Sequence, residues 1–142
     1  MIDSRTAPYG AFALRAALGI MFVAHALLKY YVFTLPGTVK FFESLGLPGP
    51  LAYVVFVGEL VGGVLILVGL GARYVSAALI PVLLGAAWAH AGNGWVFSAP
   101  NGGWEYPVFL AVASAAVALV GSGAFALENA FRSPKSFQGV IA

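Results

Sequence analysis

The sequence predicts an all-α fold: an integral membrane four-helix bundle with a short interfacial helix between spans one and two, forming a single transmembrane domain over residues 1–142. Three observations carry this expectation. Only 8% of the 142 residues are charged, where a soluble domain has about 25%. Hydrophobic residues make up 61% of the chain and mean hydropathy is +0.95, so there is too little charge to cover a water-facing surface of this size. Four apolar segments are joined by connections rich in Gly and Pro, the strongest local breakers of regular structure.

The first span (9–31) is apolar except for Arg15, His25 and Lys29. As a helix it extends about 35 Å, enough to cross a hydrocarbon core of about 30 Å with some tilt. Asp3 and Arg5 precede it without a compact basic region or a cleavage site, so this segment is expected to stay as an anchor. Pro36-Gly37 then marks a turn. Residues 38–45 (TVKFFESL) read as an amphipathic helix lying in the interface, ended by Gly46, Pro48, Gly49 and Pro50. The second span (51–70) is interrupted only by Glu59 and contains Gly58-Glu59-Leu60-Val61-Gly62, a GxxxG pattern that favours close helix approach, followed by Gly63. The third span (74–91) carries Pro81 as a kink, and the fourth (107–120) starts on Pro107, which suits a first helical turn. Residues 124–142 read as a polar tail.

Four spans put both termini on one side, with Arg5, Arg73, Arg132 and Lys135 and with Arg15 snorkelling towards it or meeting a lipid head group. Lys29 and Lys40 lie on the other side. The positive-inside rule then favours cytoplasmic termini. The connection 88–107 (WAHAGNGWVFSAPNGGWEYP) faces outward and holds all three tryptophans, Trp88, Trp95 and Trp104, as expected of an interfacial anchor.

Each span delivers one titratable group to the outer half. His25 lies about 9 Å below the end of the first span, with Lys29 one turn above it at i,i+4, and Glu59 lies about 12 Å below the start of the second. His90 closes the third span and Glu105 opens the fourth. An ionisable group in the membrane costs about 2.5–3.5 kcal/mol on insertion scales, so Glu59 is expected to face the bundle interior and pair with His25, His90 or Lys29, or to remain protonated. Two uses fit such a group: a polar clamp between helices without chemistry, or a site for a polar ligand, a quinone head group or a proton. The order His25 then Glu59, and His90 then Glu105, also hints at a repeat of two helical hairpins.

Other chemistries are weaker. There is no cysteine, so thiolate, disulfide and iron–sulfur chemistry within the chain is excluded. The His/Glu set has no Glu-x-x-His motif and no ligand pair at i,i+4, which argues against a di-iron centre, and no metal is expected. Haem between His25 and His90 is disfavoured by their different depths. A net charge of +2, without a basic run or an RNA-binding motif, argues against nucleic acid.

With these residues in hand, the sequence resembles the DoxX family of small bacterial membrane proteins, from about residue 12 to 120. The resemblance rests on Leu14-Arg15, the run from His25 to Lys29, the run from Phe41 to Pro48, and Glu59-Leu60-Val61-Gly62-Gly63 with Gly69-Leu70 and Arg73. It continues through His90, Asn93-Gly94 and the run from Gly103 to Pro107. One departure is Ala26, where similar members have glycine after the first histidine. The resemblance implies a four-helix bundle in the bacterial cytoplasmic membrane and a role as a membrane subunit of a quinone-linked oxidoreductase system. On that reading Glu59, His25 and His90 are the catalytic candidates. Lys29, Asn93, Trp104 and Glu105 are the substrate-binding candidates. Quinone is the substrate, no cofactor is expected within the chain, and electrons come from a redox partner protein. The rival is a non-enzymatic binding or scaffold protein using the same pocket. A proton-coupled transporter is disfavoured, because four short spans give little material for alternating access. The Gly and Ala faces are compatible with a homo-oligomer.

Overall fold

Pro8 in the first turn of the first helix and Gly69 beyond the end of the third show how this chain punctuates its helices. Pro suits a position whose N–H has no partner, and Gly takes the left-handed conformation that ends a helix. The computed structural model describes residues 3–131. Its long helices are α1 (Ala7–Tyr31), α3 (Leu51–Val68), α4 (Ala72–Ala89) and α5 (Glu105–Val120), with a short α2 (Leu35–Ser44) between α1 and α3 and a single turn, α6 (Glu128–Phe131), at the end. No strand occurs among the described residues. Helices α1, α3 and α4 are long and apolar enough to cross a membrane. At 16 residues α5 is shorter, about 24 Å. The protein is a multi-pass helical membrane bundle.

Thr34 sets the start of α2. Its backbone is left-handed (φ 61°), and its hydroxyl accepts from Gly37 N at 3.2 Å, capping the helix three residues before the 38–45 segment that the sequence predicts. Gly69 (φ 75°) ends α3 with its N–H on Leu65 O and Ile66 O.

The four long helices pack α1 on α3 and α4 on α5, and the α3–α4 and α1–α5 contacts close the bundle. The tightest approach is α1 on α3. A Cβ on Gly19 would stand 2.8 Å from Leu67 N, and one on Gly63 would stand 2.9 Å from Val23 N. The GxxxG pattern therefore divides. Gly63 meets α1, Gly62 meets Leu79 of α4, and Gly58 has no neighbour closer than 3.9 Å. Between the helices lie Leu18, Phe22, Ile66, Leu79, Leu83, Leu110 and Val117. Outward faces carry Ile20, Val54, Phe109 and Leu119, all exposed, as lipid-facing positions should be.

One expectation is corrected at the end of the bundle nearest the start of α1. Arg15 does not snorkel: it is fully buried. Its Nε donates to Ser122 O at 2.8 Å, one terminal nitrogen donates to Ile66 O at 2.9 Å and to Leu67 O, and the other donates to Ala124 O at 3.2 Å. The physical reason is local. Helix α3 ends here with carbonyls lacking helical partners, and the chain after α5 adds two more, so a guanidinium with five donors satisfies them in one place. The first part of the segment read as a polar tail is described: residues 121–131 form a strap under the bundle. Ala124 N donates to Pro8 O at 2.9 Å, Leu127 N to Val68 O at 2.9 Å, and Glu128 accepts from Gly71 N at 2.9 Å. The remainder of that tail, 132–142, lies outside the described residues.

Candidate functional site

At the opposite end, where α2 sits, Lys29 occupies the last turn of α1 and Glu59 the middle of α3. The close α1–α3 packing brings them together: Lys29 Nζ lies 2.6 Å from Glu59 Oε2. Their side chains are only 18% and 8% exposed, so each charge has the other as its principal compensation. In a low-dielectric interior such a pair holds only with good geometry, and losing one partner strands the other.

His25 lies one turn below Lys29. Its Nδ1 donates to Met21 O at 2.8 Å. That bond sets the tautomer and leaves Nε2 as the open nitrogen, an acceptor when the ring is neutral and a donor when it is charged. The ring stacks on Tyr106 of α5, with centroids 5.6 Å apart and planes at 25°. Three helices thus contribute to one place: α1 with His25 and Lys29, α3 with Glu59, and α5 with Tyr106.

The other candidates gather in the α4–α5 connection. His90 Nδ1 donates to Asn101 O at 3.0 Å. Asn93 donates to Asn101 O at 3.1 Å and to Gly102 O at 2.8 Å. Glu105 accepts from Phe97 N at 2.9 Å, and its own N–H donates to Trp95 O at 3.1 Å. Trp104 packs edge-on against Trp95 with centroids 4.4 Å apart, and the Phe41 ring of α2 stacks loosely over His90. Gly103 is required here, because a Cβ would stand 2.2 Å from Val96 O.

The four titratable groups therefore do not meet as one cluster. Glu59 pairs with Lys29, while His90 and Glu105 brace the connection. Among the described residues no three His, Asp or Glu side chains come together as a metal site. The cause is hydrogen-bond demand. A loop of this length at the membrane boundary has many backbone groups outside any helix, and the nearest polar side chains satisfy them. Tyr106 is the residue that reading by charge passed over. Its signal was position, one residue beyond Glu105 and one before Pro107, on the first turn of a helix.

The DoxX family model matches residues 10–92 of the chain. The chain belongs to the DoxX family. The matched DoxX region holds most of α1 and all of α2 to α4, and with them Arg15, His25, Lys29, Glu59 and His90. Tyr106 and Glu105 lie beyond it. A Bacillus subtilis protein described as "Putative oxidoreductase CatD" is 38% identical over 120 residues, 84% of this chain and 84% of its own length. No solved structure matches this DoxX chain.

Proposed function

We propose that this protein is a membrane subunit of a quinone-linked oxidoreductase system in the bacterial cytoplasmic membrane, with both termini cytoplasmic and the Lys29–Glu59 end extracytoplasmic. The observation that carries the reading is the nearly buried Lys29–Glu59 pair with the open Nε2 of His25 one turn away. A quinone head group is flat and uncharged and has two carbonyl oxygens. It asks for hydrogen-bond donors and proton carriers, not for a fixed net charge. The family and the oxidoreductase description of the relative support a redox setting.

Reduction of the quinone to the quinol takes two electrons and two protons. The electrons come from a partner protein, since the side chains of this protein offer no redox centre of their own. Lys29 Nζ gives one proton to one carbonyl oxygen and is left as an amine, and the Glu59 carboxylate beside it relays a proton from water to restore the ammonium. The second proton comes from water through His25, which donates it from Nε2 to the other carbonyl oxygen while Nδ1 stays on Met21 O. His90 is given no proton-transfer role, because its contacts are with the α4–α5 connection and Phe41 and none is with Lys29, Glu59 or His25, and Asn93, Trp104 and Glu105 build the rim.

The test is Glu59→Gln in the assembled complex. Quinone turnover should fall at least a hundredfold, within the range general acid–base catalysis contributes, while the helical content holds. Normal turnover would remove Glu59 from the mechanism and favour the scaffold reading, in which the pair only clamps α1 to α3.

A further inference from the structure

Helix α5 presents a groove of about 470 Å³ lined by Trp95, Glu105, Tyr106, Val108, Phe109 and Val112. Its volume falls within the range of small-molecule sites, about 300–1,000 Å³. Phe109, Val112 and Trp95 are exposed along it, so it opens sideways towards lipid and not along the bundle axis. Its lining is almost wholly apolar. The exception is Glu105 at the rim end, where the carboxylate is already hydrogen-bonded to Phe97 N.

Two features distinguish this groove from an ordinary lipid-facing surface. The first is continuity. Tyr106 lines the groove and also stacks on His25, so its ring belongs both to the groove and to the candidate site. The second is charge. The Glu105 carboxylate at the rim repels an anionic head group and leaves an uncharged one unopposed.

We propose that this groove is the lateral doorway and tail subsite of the Lys29–Glu59–His25 site. Its ligand is an uncharged ring bearing a single alkyl or isoprenoid chain, with Tyr106 as the positioning residue between tail and head. This rests on the proposed function, and it specifies the substrate class as tailed, membrane-dissolved quinones. The tail lies along Val108, Phe109 and Val112. The head passes Tyr106 to reach His25 Nε2 and Lys29 Nζ.

The full chain in nanodiscs is titrated with two quinones at fixed quinone-to-lipid ratio, decylubiquinone with a tail and duroquinone without one. Binding is read from quenching of the native tryptophans. Val112→Phe and Phe109→Ala alter exposed positions and leave the core intact. Each should weaken decylubiquinone binding about tenfold, the scale of a misfitted apolar contact, and leave duroquinone binding unchanged. Unchanged decylubiquinone binding in both variants would overturn the tail subsite, as would equal weakening of both quinones. A wild-type chain that binds neither quinone would overturn the quinone reading and the subsite with it. Wild-type binding of both, with insensitive variants, would remove the subsite alone.

Discussion

Replacing Arg15 with Met removes the densest set of side-chain tertiary hydrogen bonds among the described residues while keeping an unbranched side chain of similar length. Four carbonyls lose a charged donor: Ser122 O, Leu67 O, Ala124 O, and Ile66 O, which keeps Gly69 N. The bonds to Ser122 O and Ile66 O are buried, and the other two are partly buried. A hydrogen bond to a charged group contributes about 1.5–3 kcal/mol, so the buried two account for about 3–6 kcal/mol. Water reaches the other two carbonyls and replaces part of what they lose. Met also removes the desolvation cost of the guanidinium, which offsets some of the loss. The expected net destabilisation is about 3 kcal/mol, within the range for breaking a buried network. Unfolding of the purified chain in mixed micelles, titrated with a denaturing detergent and followed by circular dichroism, measures it. Arg15→Lys should recover less than half, because an ammonium has three donors on one atom and cannot span carbonyls from both α3 and the strap. A loss below about 1 kcal/mol for Arg15→Met would refute the argument and return Arg15 to the class of surface residues.

Two further outcomes follow from the α1–α3 seam. Lys29→Met should destabilise by about 2–4 kcal/mol, somewhat under the loss for a fully buried pair because Lys29 is 18% exposed. The double variant Lys29→Met with Glu59→Leu should cost less than the two single changes added together, and a double-mutant cycle on the same unfolding assay that shows strict additivity would deny the coupling. Gly63→Ala forces a Cβ to 2.9 Å from Val23 N and should cost about 1–3 kcal/mol. Gly58→Ala, with its nearest neighbour at 3.9 Å, should be neutral or stabilising by up to about 1 kcal/mol through helix propensity. Equal effects at both glycines, read as melting shifts in detergent, would show that the close approach is not at Gly63.

Some of the candidate site was legible before any coordinates. Lys29 and His25 sit at i,i+4 on one helix, so their shared face follows from helical geometry alone. Glu59 in an otherwise apolar span was expected to pair inside the bundle or stay protonated, and Lys29 was among the partners the sequence offered. The choice of Lys29 over His25 and His90 was not legible. It depends on the axial register of α1 against α3, which Gly19 and Gly63 set through backbone contact. Likewise, nothing in the charge pattern separates His25 from His90. Both end up with Nδ1 on a carbonyl, but one carbonyl belongs to the histidine's own helix and the other to a loop.

By itself the sequence determined the environment, the helical class and the family resemblance, because those follow from composition, segment length and local breakers. Apolar stretches long enough to cross a bilayer have to satisfy their backbone internally, and only helices do so within one segment. Tertiary structure alone decided which polar groups are spent on the fold and which remain free. Arg15 goes to four carbonyls because α3 ends and the strap begins beside it. Glu105 and His90 go to the connection because Phe97 N and Asn101 O lie outside any helix. His25 keeps an open nitrogen because its own helix supplies the bond that holds the other. Such assignments depend on where chain ends meet in space, and a residue's identity and spacing carry no record of that.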